Sequence, residues 1–456
     1  MREGSVLLYV TEPRADARTL PDRVFRQPEP SPRKTHPRNP MNPDLFRAID
    51  KYVGAPACAV ASGLARISPG LSGKGGPASP AAALFIQLSE MGSAVLASPA
   101  VARFREAHPD CAVHWLTFRH NRRIVDALGL VPPENVIAIN VTGAAAFLSS
   151  TRRAVAEVRA RRVDTVFDFE LFARFSALVS ALSGARRRVG FSMFHQEGLY
   201  RGSLLTHPVL YNCHQHVAKN FLAQVLALER PRETPLVKEA INQPLSAPRF
   251  VPDPAAAARV KDLLYDLCPQ RAARHLVLLN PGAGELLPLR AWPVEHFARL
   301  GRMILENHDA LLAVVGPPEA RPLGLDLSSR LPRDRVADMT GRTDLPEFLE
   351  LLSAARLIVT ADSGAAHFAS LTHTPRVVLF GPETPTLYAP LGDRVRTLTA
   401  GLACSPCLSA FNHRKSPCKD AACMREILPE SVYAAAVPFL ENGDLVAKIP
   451  ESRIRA

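Results

Sequence analysis

The sequence predicts an α/β chain of two Rossmann-like domains facing a cleft, and three observations point to it. Short apolar runs alternate with helical patterns from Ala82 onward, and the alternation restarts at Leu276 after a proline-rich stretch over 232–256. Strands separated by helices build parallel sheets. The third observation is the compact βαβ unit at 356–382. There the apolar run Leu357–Thr360 enters the polar turn Asp362-Ser363-Gly364, an apolar helix carries His367, and Val377–Phe380 ends at Gly381-Pro382. Ligands of such units gather at the carboxyl ends of the strands, where helix N-termini offer free amides to an anion.

In the first domain, the strands are expected at Ala82–Ile86, Ala112–Thr117, Val136–Ile139, Thr165–Phe169 and Arg188–Phe191. A turn at Ser89–Ser93 follows the first strand, then a helix punctuated by Pro99, and another helix covers Phe172–Leu182. In the second, strands are expected at Leu276–Leu279, Ala310–Val315, Val336–Met339 and the βαβ pair, with helices at Pro293–Glu306, Leu345–Ala354 and Pro429–Val437. The boundaries are then 1–40 for a Pro/Arg-rich tail, 41–80 for an amphipathic helix and linker, 81–245 and 246–430 for the two domains, and 431–456 for a last helix and tail.

Residues 1–40 lack apolar periodicity and read as disordered, with Met41 a second candidate start. Pro43–Val53 has helical spacing (Leu45, Ile49, Val53), and Gly54-Ala55-Pro56 should end or kink that helix before Ala57–Leu64 resumes it. Neither piece spans a bilayer, but together they suit a membrane interface or a dock on the body. Gly70–Pro80 reads as a linker by composition.

The 456 residues are 47% hydrophobic and carry a formal charge of +12, which points to anionic partners: a nucleotide diphosphate, a phosphorylated glycolipid or an acidic membrane surface. With aromatics at 6% and no basic run interleaved with them, nucleic acid is disfavoured. Arg119–Arg123 and Arg186–Arg188 read as solvated faces. Without a spanning apolar run or secretory leader, the expected location is cytoplasmic, at the inner face of a membrane. Cys404, Cys407, Cys418 and Cys423 crowd together, which suits either a structural zinc site or free thiols. Cys58, Cys111, Cys213 and Cys268 read as small core residues, and His214-x-His216 is a poor metal signal.

The turn Asp362-Ser363-Gly364-Ala365-Ala366-His367 and the strand end Phe380-Gly381-Pro382 resemble the signature of glycosyltransferase family 9, the ADP-heptose:lipopolysaccharide heptosyltransferases. Further landmarks follow in the family's order. Leu289-Arg290-Ala291-Trp292-Pro293 is similar to its basic-x-Trp-Pro element, and Cys423-Met424-Arg425-Glu426-Ile427 to a Cys-rich stretch of some members. The resemblance implies the GT-B architecture, a nucleotide-sugar donor such as ADP-heptose in the second domain, and an acceptor in the first.

It also implies roles. Arg290 would contact the donor phosphate, and Glu319 would receive nucleoside hydroxyls. Asp362, Ser363, Gly364 and His367, with Gly282 and Gly284 after the Leu276 strand, would complete the donor seat. The bland alternatives stay open: a helix cap for Asp362 or Ser363, a surface Arg290, a solvated Glu319, a structural His367.

One departure matters. Where the family has Gly-Asp after the first strand, the Asp being its proposed general base, this chain has Gly92-Ser93. A serine cannot accept a proton at neutral pH without a partner of its own. Glu90, three residues earlier, is the substitute base, with Ser93 beside it. Asp168 and Glu170 are the next carboxylates and, with Arg174, His195 and Arg201, the candidate acceptor contacts.

Two functions therefore stand: an inverting sugar transferase that needs no metal, acting on a lipopolysaccharide core or related glycan, or a catalytically silent nucleotide-sugar or glycolipid binder. A dinucleotide oxidoreductase is disfavoured, because Gly282-x-Gly284 lacks the third glycine of that motif.

Overall fold

The computed structural model describes residues 43–67, 79–192, 199–230, 233–242, 244–268, 275–284, 287–412 and 414–441. The tail 1–40, most of the expected linker and His195 lie outside these residues.

Among the described residues twelve strands form two six-stranded sheets. The first holds β1 (Ala82–Ile86), β2 (Ala112–Phe118), β3 (Val136–Ile139), β4 (Thr165–Asp168), β5 (Arg187–Phe191) and β6 (His207–Val209) in the order 3-2-1-4-5-6. The second holds β7 (His275–Asn280), β8 (Ala310–Val314), β9 (Val336–Asp338), β10 (Leu357–Ala361), β11 (Arg376–Leu379) and β12 (Val395–Leu398) in the order 12-11-10-7-8-9. The two orders are the same topology, and every pairing is parallel.

Continuous apolar runs make the central strands. β1, β8 and β10 are buried at every position, as a sheet covered by helices on both faces requires. In the first half an aromatic core packs the sheet, with Phe85 stacked on Phe167 at 4.8 Å and edge-on to Phe104 at 5.4 Å. Strand order reverses between β1 and β4 and between β7 and β10. Those are the points where an open α/β sheet leaves a crevice for a ligand.

β6 and β12 had no counterpart in the sequence reading. Both are short edge strands, β6 containing Pro208 and β12 only partly buried, so neither shows an apolar run. The Arg186–Arg188 cluster is not a solvated face throughout: Arg188 is buried, donating Nε to Leu204 O at 2.6 Å, and Arg187 pairs with Asp164 at 3.1 Å.

The N-terminal helix does not stop at Gly54-Ala55-Pro56. Helix Pro43–Ile49 passes through a π-turn at Asp50–Gly54 directly into helix Ala55–Ile67. A widened turn accommodates the amide that Pro56 cannot supply. Asp50 fastens this segment to the first half. Its carboxylate accepts from the amides of Arg174 (3.0 Å) and Phe175 (2.8 Å), at the start of helix Arg174–Leu182, and pairs with the Arg174 guanidinium at 3.3 Å.

Candidate functional site

One crevice is built from the ends of β7 and β10. Asn280, the last residue of β7, donates Nδ2 to Thr360 Oγ1 at 3.0 Å and to Ser363 Oγ at 3.3 Å. Ser363 is extended and its hydroxyl also meets Thr360 Oγ1 at 3.0 Å, so it does not cap the following helix, Gly364–Phe368. The first amides of a helix have no partner within it, and the Ser363 side chain does not supply one, although the Ala366 amide turns back to Ser363 O at 3.2 Å.

Arg290 enters from the turn Pro288–Arg290 and donates Nη1 to Asp362 Oδ2 at 3.1 Å. The guanidinium is 13% exposed and the carboxylate 5%. Arg290, Asp362 and the Ser363-Gly364 backbone therefore share one crevice. Trp292 anchors the arginine's loop, donating Nε1 to Ile427 O at 2.9 Å. A Cβ on Gly381 would lie 2.5 Å from Met424 Sδ. The sequence landmarks around Trp292, Gly381 and Ile427 thus pack on one another and hold Arg290 in place.

His367 Nε2 lies 4.0 Å from Asp362 Oδ1. Burial pushes its pKa down to about 4, outweighing the opposing pull of Asp362 and helped by His216 and Arg376. The ring is neutral at pH 7. Gly282 and Gly316 flank Asn280, each 3.6 Å from its Oδ1 when given a Cβ, and Gly284 takes the left-handed φ of +76°. Glu319 is exposed in the turn Pro318–Ala320, at the rim of these loops. Arg290 Nε, Asn280 Oδ1 and His367 Nδ1 are buried polar atoms with no hydrogen-bond partner in the protein. Buried polar groups are nearly always paired, and these three lie together around the Asp362-Ser363 turn.

Facing this crevice is the turn after β1. Glu170 clamps it: Oε1 accepts from the amides of Leu88 (2.6 Å) and Ser89 (3.2 Å) and from Gln87 Nε2 (3.1 Å), and Oε2 accepts from Ser89 Oγ at 3.0 Å. Burial nevertheless raises the Glu170 pKa to about 7. Glu90 follows in extended conformation before helix Met91–Ala107, without capping it. One residue into that helix, a Cβ on Gly92 would stand 2.6 Å from His367 Cδ2. Only glycine lets this turn approach the His367 turn so closely.

Glu90 does not stand alone. Its Oε1 pairs with Arg414 Nη1, and its Oε2 accepts from Ser93 Oγ at 3.4 Å. Burial alone would raise its pKa, but Arg414, Arg290, His367 and the Ser93 hydroxyl together hold it below the usual carboxylate value. Arg414 also donates Nε to Glu383 Oε1 at 2.7 Å and lies 5.4 Å over the Tyr388 ring. Burial lifts Glu383 to about 6 despite that arginine. Arg414 has φ +55°, a left-handed conformation that costs a non-glycine residue about 1–2 kcal/mol, and its side chain joins the two halves. His216, the N-cap of helix Val217–Glu229, makes a second bridge, with Nε2 donating to Ala389 O at 2.8 Å.

The expected acceptor contacts have other occupations. Asp168 is 0% exposed and ion-paired with Arg201, while its Oδ1 accepts from the Glu170 amide at 3.1 Å. Burial raises its pKa despite that arginine. Arg201 also donates to Phe191 O and Ser176 Oγ. Arg174 holds Asp50. The geometry gives Asp168, Glu170, Arg174 and Arg201 structural duties.

The zinc expectation also needs correcting. Cys423 lies close enough to Cys407, Cys418 and Cys404 for their charges to raise its pKa after burial has done so. Yet Cys407 Sγ donates to Ser416 Oγ (3.3 Å), Cys418 Sγ to Asp420 Oδ1 (3.4 Å), and Cys404 is exposed. Among the described residues no group of three or more His, Cys, Asp or Glu is arranged to hold a metal.

Arg414, Glu383, Asn280 and His216 were not read as site residues. Glu383 directly follows Gly381-Pro382 and Asn280 directly ends a strand, so position alone marks them. Arg414 lies in a Cys-rich loop with no local pattern.

The sequence pattern of "Glycosyltransferase family 9 (heptosyltransferase)" matches residues 152–416, more than half of the chain. Lipooligosaccharide heptosyltransferase 2 of Haemophilus influenzae is 28% identical over 165 residues, 36% of this chain and 47% of that protein. Lipopolysaccharide heptosyltransferase 1 of Escherichia coli K12 is 23% identical over 314 residues, 68% of this chain and 90% of that one. The chain therefore aligns with less than half of the Haemophilus type 2 enzyme. Among solved structures, E. coli ADP-heptose lps heptosyltransferase II is similar at TM-score 0.61 and 20% identity, covering 78% of this chain and 98% of that one. The E. coli heptosyltransferase WaaC, solved with ADP, is similar at TM-score 0.55 and 16% identity, covering 78% and 99%. The two halves form the GT-B architecture that these proteins share.

Proposed function

The chain belongs to glycosyltransferase family 9, and from that premise we propose that it moves a heptose from ADP-heptose, with inversion, onto a phosphorylated glycolipid of the lipopolysaccharide-core kind at the cytoplasmic face of a membrane. The observation that carries this reading is the single crevice shared by Arg290, Asp362 and the Ser363-Gly364 backbone, with Glu90 facing it from the other half. Binding of ADP by WaaC supports the choice of donor.

The acceptor hydroxyl attacks the anomeric carbon from the side opposite the diphosphate. Its proton passes to Glu90, whose Oε2 makes only a long bond to Ser93 while Oε1 stays on Arg414. The sugar–phosphate bond breaks, and the growing charge on ADP is met by Arg290 and the Gly364 and Ala365 amides at the start of the helix. His367 is neutral and serves as a hydrogen-bonding group. Glu319 at the rim receives nucleoside hydroxyls. Charge stabilisation is assigned to these groups, and no step to a metal.

The test is ADP release from ADP-heptose and acceptor, in the presence of a chelator. Glu90→Gln should lower kcat by about 10²–10⁴-fold, with the donor-induced rise in melting temperature retained. The second reading, a silent binder, is favoured by the lowered pKa of Glu90 and its pairing with Arg414. It stands if the wild type binds donor but releases no ADP with any acceptor.

A further inference from the structure

We infer that the N-terminal helical segment is a lipid-binding surface, laying its outward apolar face on an anionic bilayer. The segment has two opposed stripes. Asp50, Gly54, Cys58 and Ser62 recur every four residues and face the body. Asp50 caps helix Arg174–Leu182, a Cβ on Gly54 would lie 2.8 Å from Arg174 Cβ, Cys58 is fully buried, and Ser62 Oγ accepts from the Ser203 amide at 2.8 Å. The opposite stripe is Leu45, Ile49, Tyr52, Val53, Val60 and Leu64, all exposed, with Tyr52 at 70% and Val60 at 64%. A helix pinned on one side normally turns polar residues outward. This one turns out an aromatic ring and five branched aliphatic side chains.

Charge identifies the occupant. Phe46 packs its ring on Phe118 (6.2 Å) and Phe147 (5.1 Å), which places the segment beside exposed Arg119 and beside the helix Ala144–Ala160. That helix exposes Leu148, Arg152 and Arg153. Lys51 is also exposed, its ammonium 5.2 Å from the Tyr52 ring. Two nearby carboxylates are neutralised, Asp50 by Arg174 and Glu157 by Arg161. An apolar stripe rimmed by cations, on a chain of formal charge +12, complements a negatively charged lipid surface. Among the described residues no helix is long and apolar enough to cross a membrane, so the segment lies in the interface plane. It rests on the half that receives the acceptor. Its purpose therefore depends on the lipid-borne acceptor proposed above, although its lipid affinity does not.

The test is sedimentation of the full chain with vesicles of phosphatidylethanolamine and phosphatidylglycerol, against vesicles of phosphatidylcholine. The wild type should bind the anionic vesicles, less at high salt. The triple variant Tyr52→Ser, Val60→Ser, Leu64→Ser should bind about tenfold or more weakly, and Arg152→Glu with Arg153→Glu should lose the anionic preference. Both variants should keep the wild-type melting temperature, because all five side chains are exposed. The inference is overturned if the wild type ignores anionic vesicles or the triple variant binds as tightly as wild type. It is also overturned if light scattering shows that the triple substitution dissociates an oligomer while leaving vesicle binding intact. Binding is read without turnover. A chain that binds vesicles yet never releases ADP sinks the transferase reading and leaves this surface standing, and a chain that glycosylates a soluble acceptor but ignores vesicles does the reverse.

Discussion

The two halves share a topology but spend their polar residues differently. In the second half, Arg290, Asn280 and His367 each keep a buried polar atom without a protein partner, all around one crevice. In the first, such atoms also occur, on Gln87, Arg201 and Gln224, but the charged groups near the crevice are tied into the scaffold: Asp168 with Arg201, Glu170 with the turn after β1, Arg174 with Asp50. The proposed donor seat lies within one fold unit. The first half uses the same kinds of residue to hold its scaffold, and reaches the crevice mainly through Glu90.

Removing charges on the two sides should therefore fail in different ways. The largest effect is expected for Arg201→Met, which strands the Asp168 carboxylate in the core. Breaking such a buried pair costs about 3–5 kcal/mol, visible as a lower urea midpoint. A stable variant with impaired turnover would instead make Arg201 an acceptor contact. Next comes Arg290→Ala, expected to lower kcat by about 10²–10³-fold, with a smaller loss of stability than Arg201→Met because the Arg290–Asp362 pair is less completely buried. A large loss of stability with normal turnover would reverse the contrast.

The halves should also answer pH with opposite sign. Glu170 is raised to about 7 by burial, so the folded state binds its proton more tightly than the unfolded one, and its contribution to stability falls as pH rises from about 4.5 to 7. His367 is lowered to about 4, again chiefly by burial, so its contribution is full above about 6.5 and falls as pH drops toward 4. Each amounts to at most about 3 kcal/mol. Stability curves of Glu170→Gln and His367→Gln against pH should lose these opposite slopes, and parallel changes in the two variants would break the contrast. The smallest expected effect is Gly92→Ala, whose methyl group would force the His367 ring aside. Overpacking of this kind costs about 1–3 kcal/mol, and donor affinity measured by calorimetry should fall while the first half keeps its unfolding transition.

Much of this was legible along the chain. β1, β7, β8 and β10 are continuous apolar runs because both faces of a parallel sheet are covered, and the Asp362 turn and Arg290 lie next to strand or helix ends that periodicity locates. Edge strands β6 and β12 were not legible, because partial burial puts little constraint on their composition. Nor was Arg414, whose partners Glu90 and Glu383 are 324 and 31 residues away. The π-turn at Asp50–Gly54 was anticipated only as an end or kink, since Pro56 announces a missing amide but not how the helix absorbs it.

By itself, the order of residues determined two parallel α/β units, a polar turn after β10 and a basic group before Trp292. These follow from side-chain periodicity and from the few residue types that tolerate turns, both of which act over a handful of positions. Only the tertiary structure decided that Glu90 is tied to Arg414, that Asp168 and Arg174 support the scaffold, and that Cys407 and Cys418 bond to Ser416 and Asp420. A buried charge takes whichever opposite charge or donor the packing brings near, and the distance that sets that choice is measured through space.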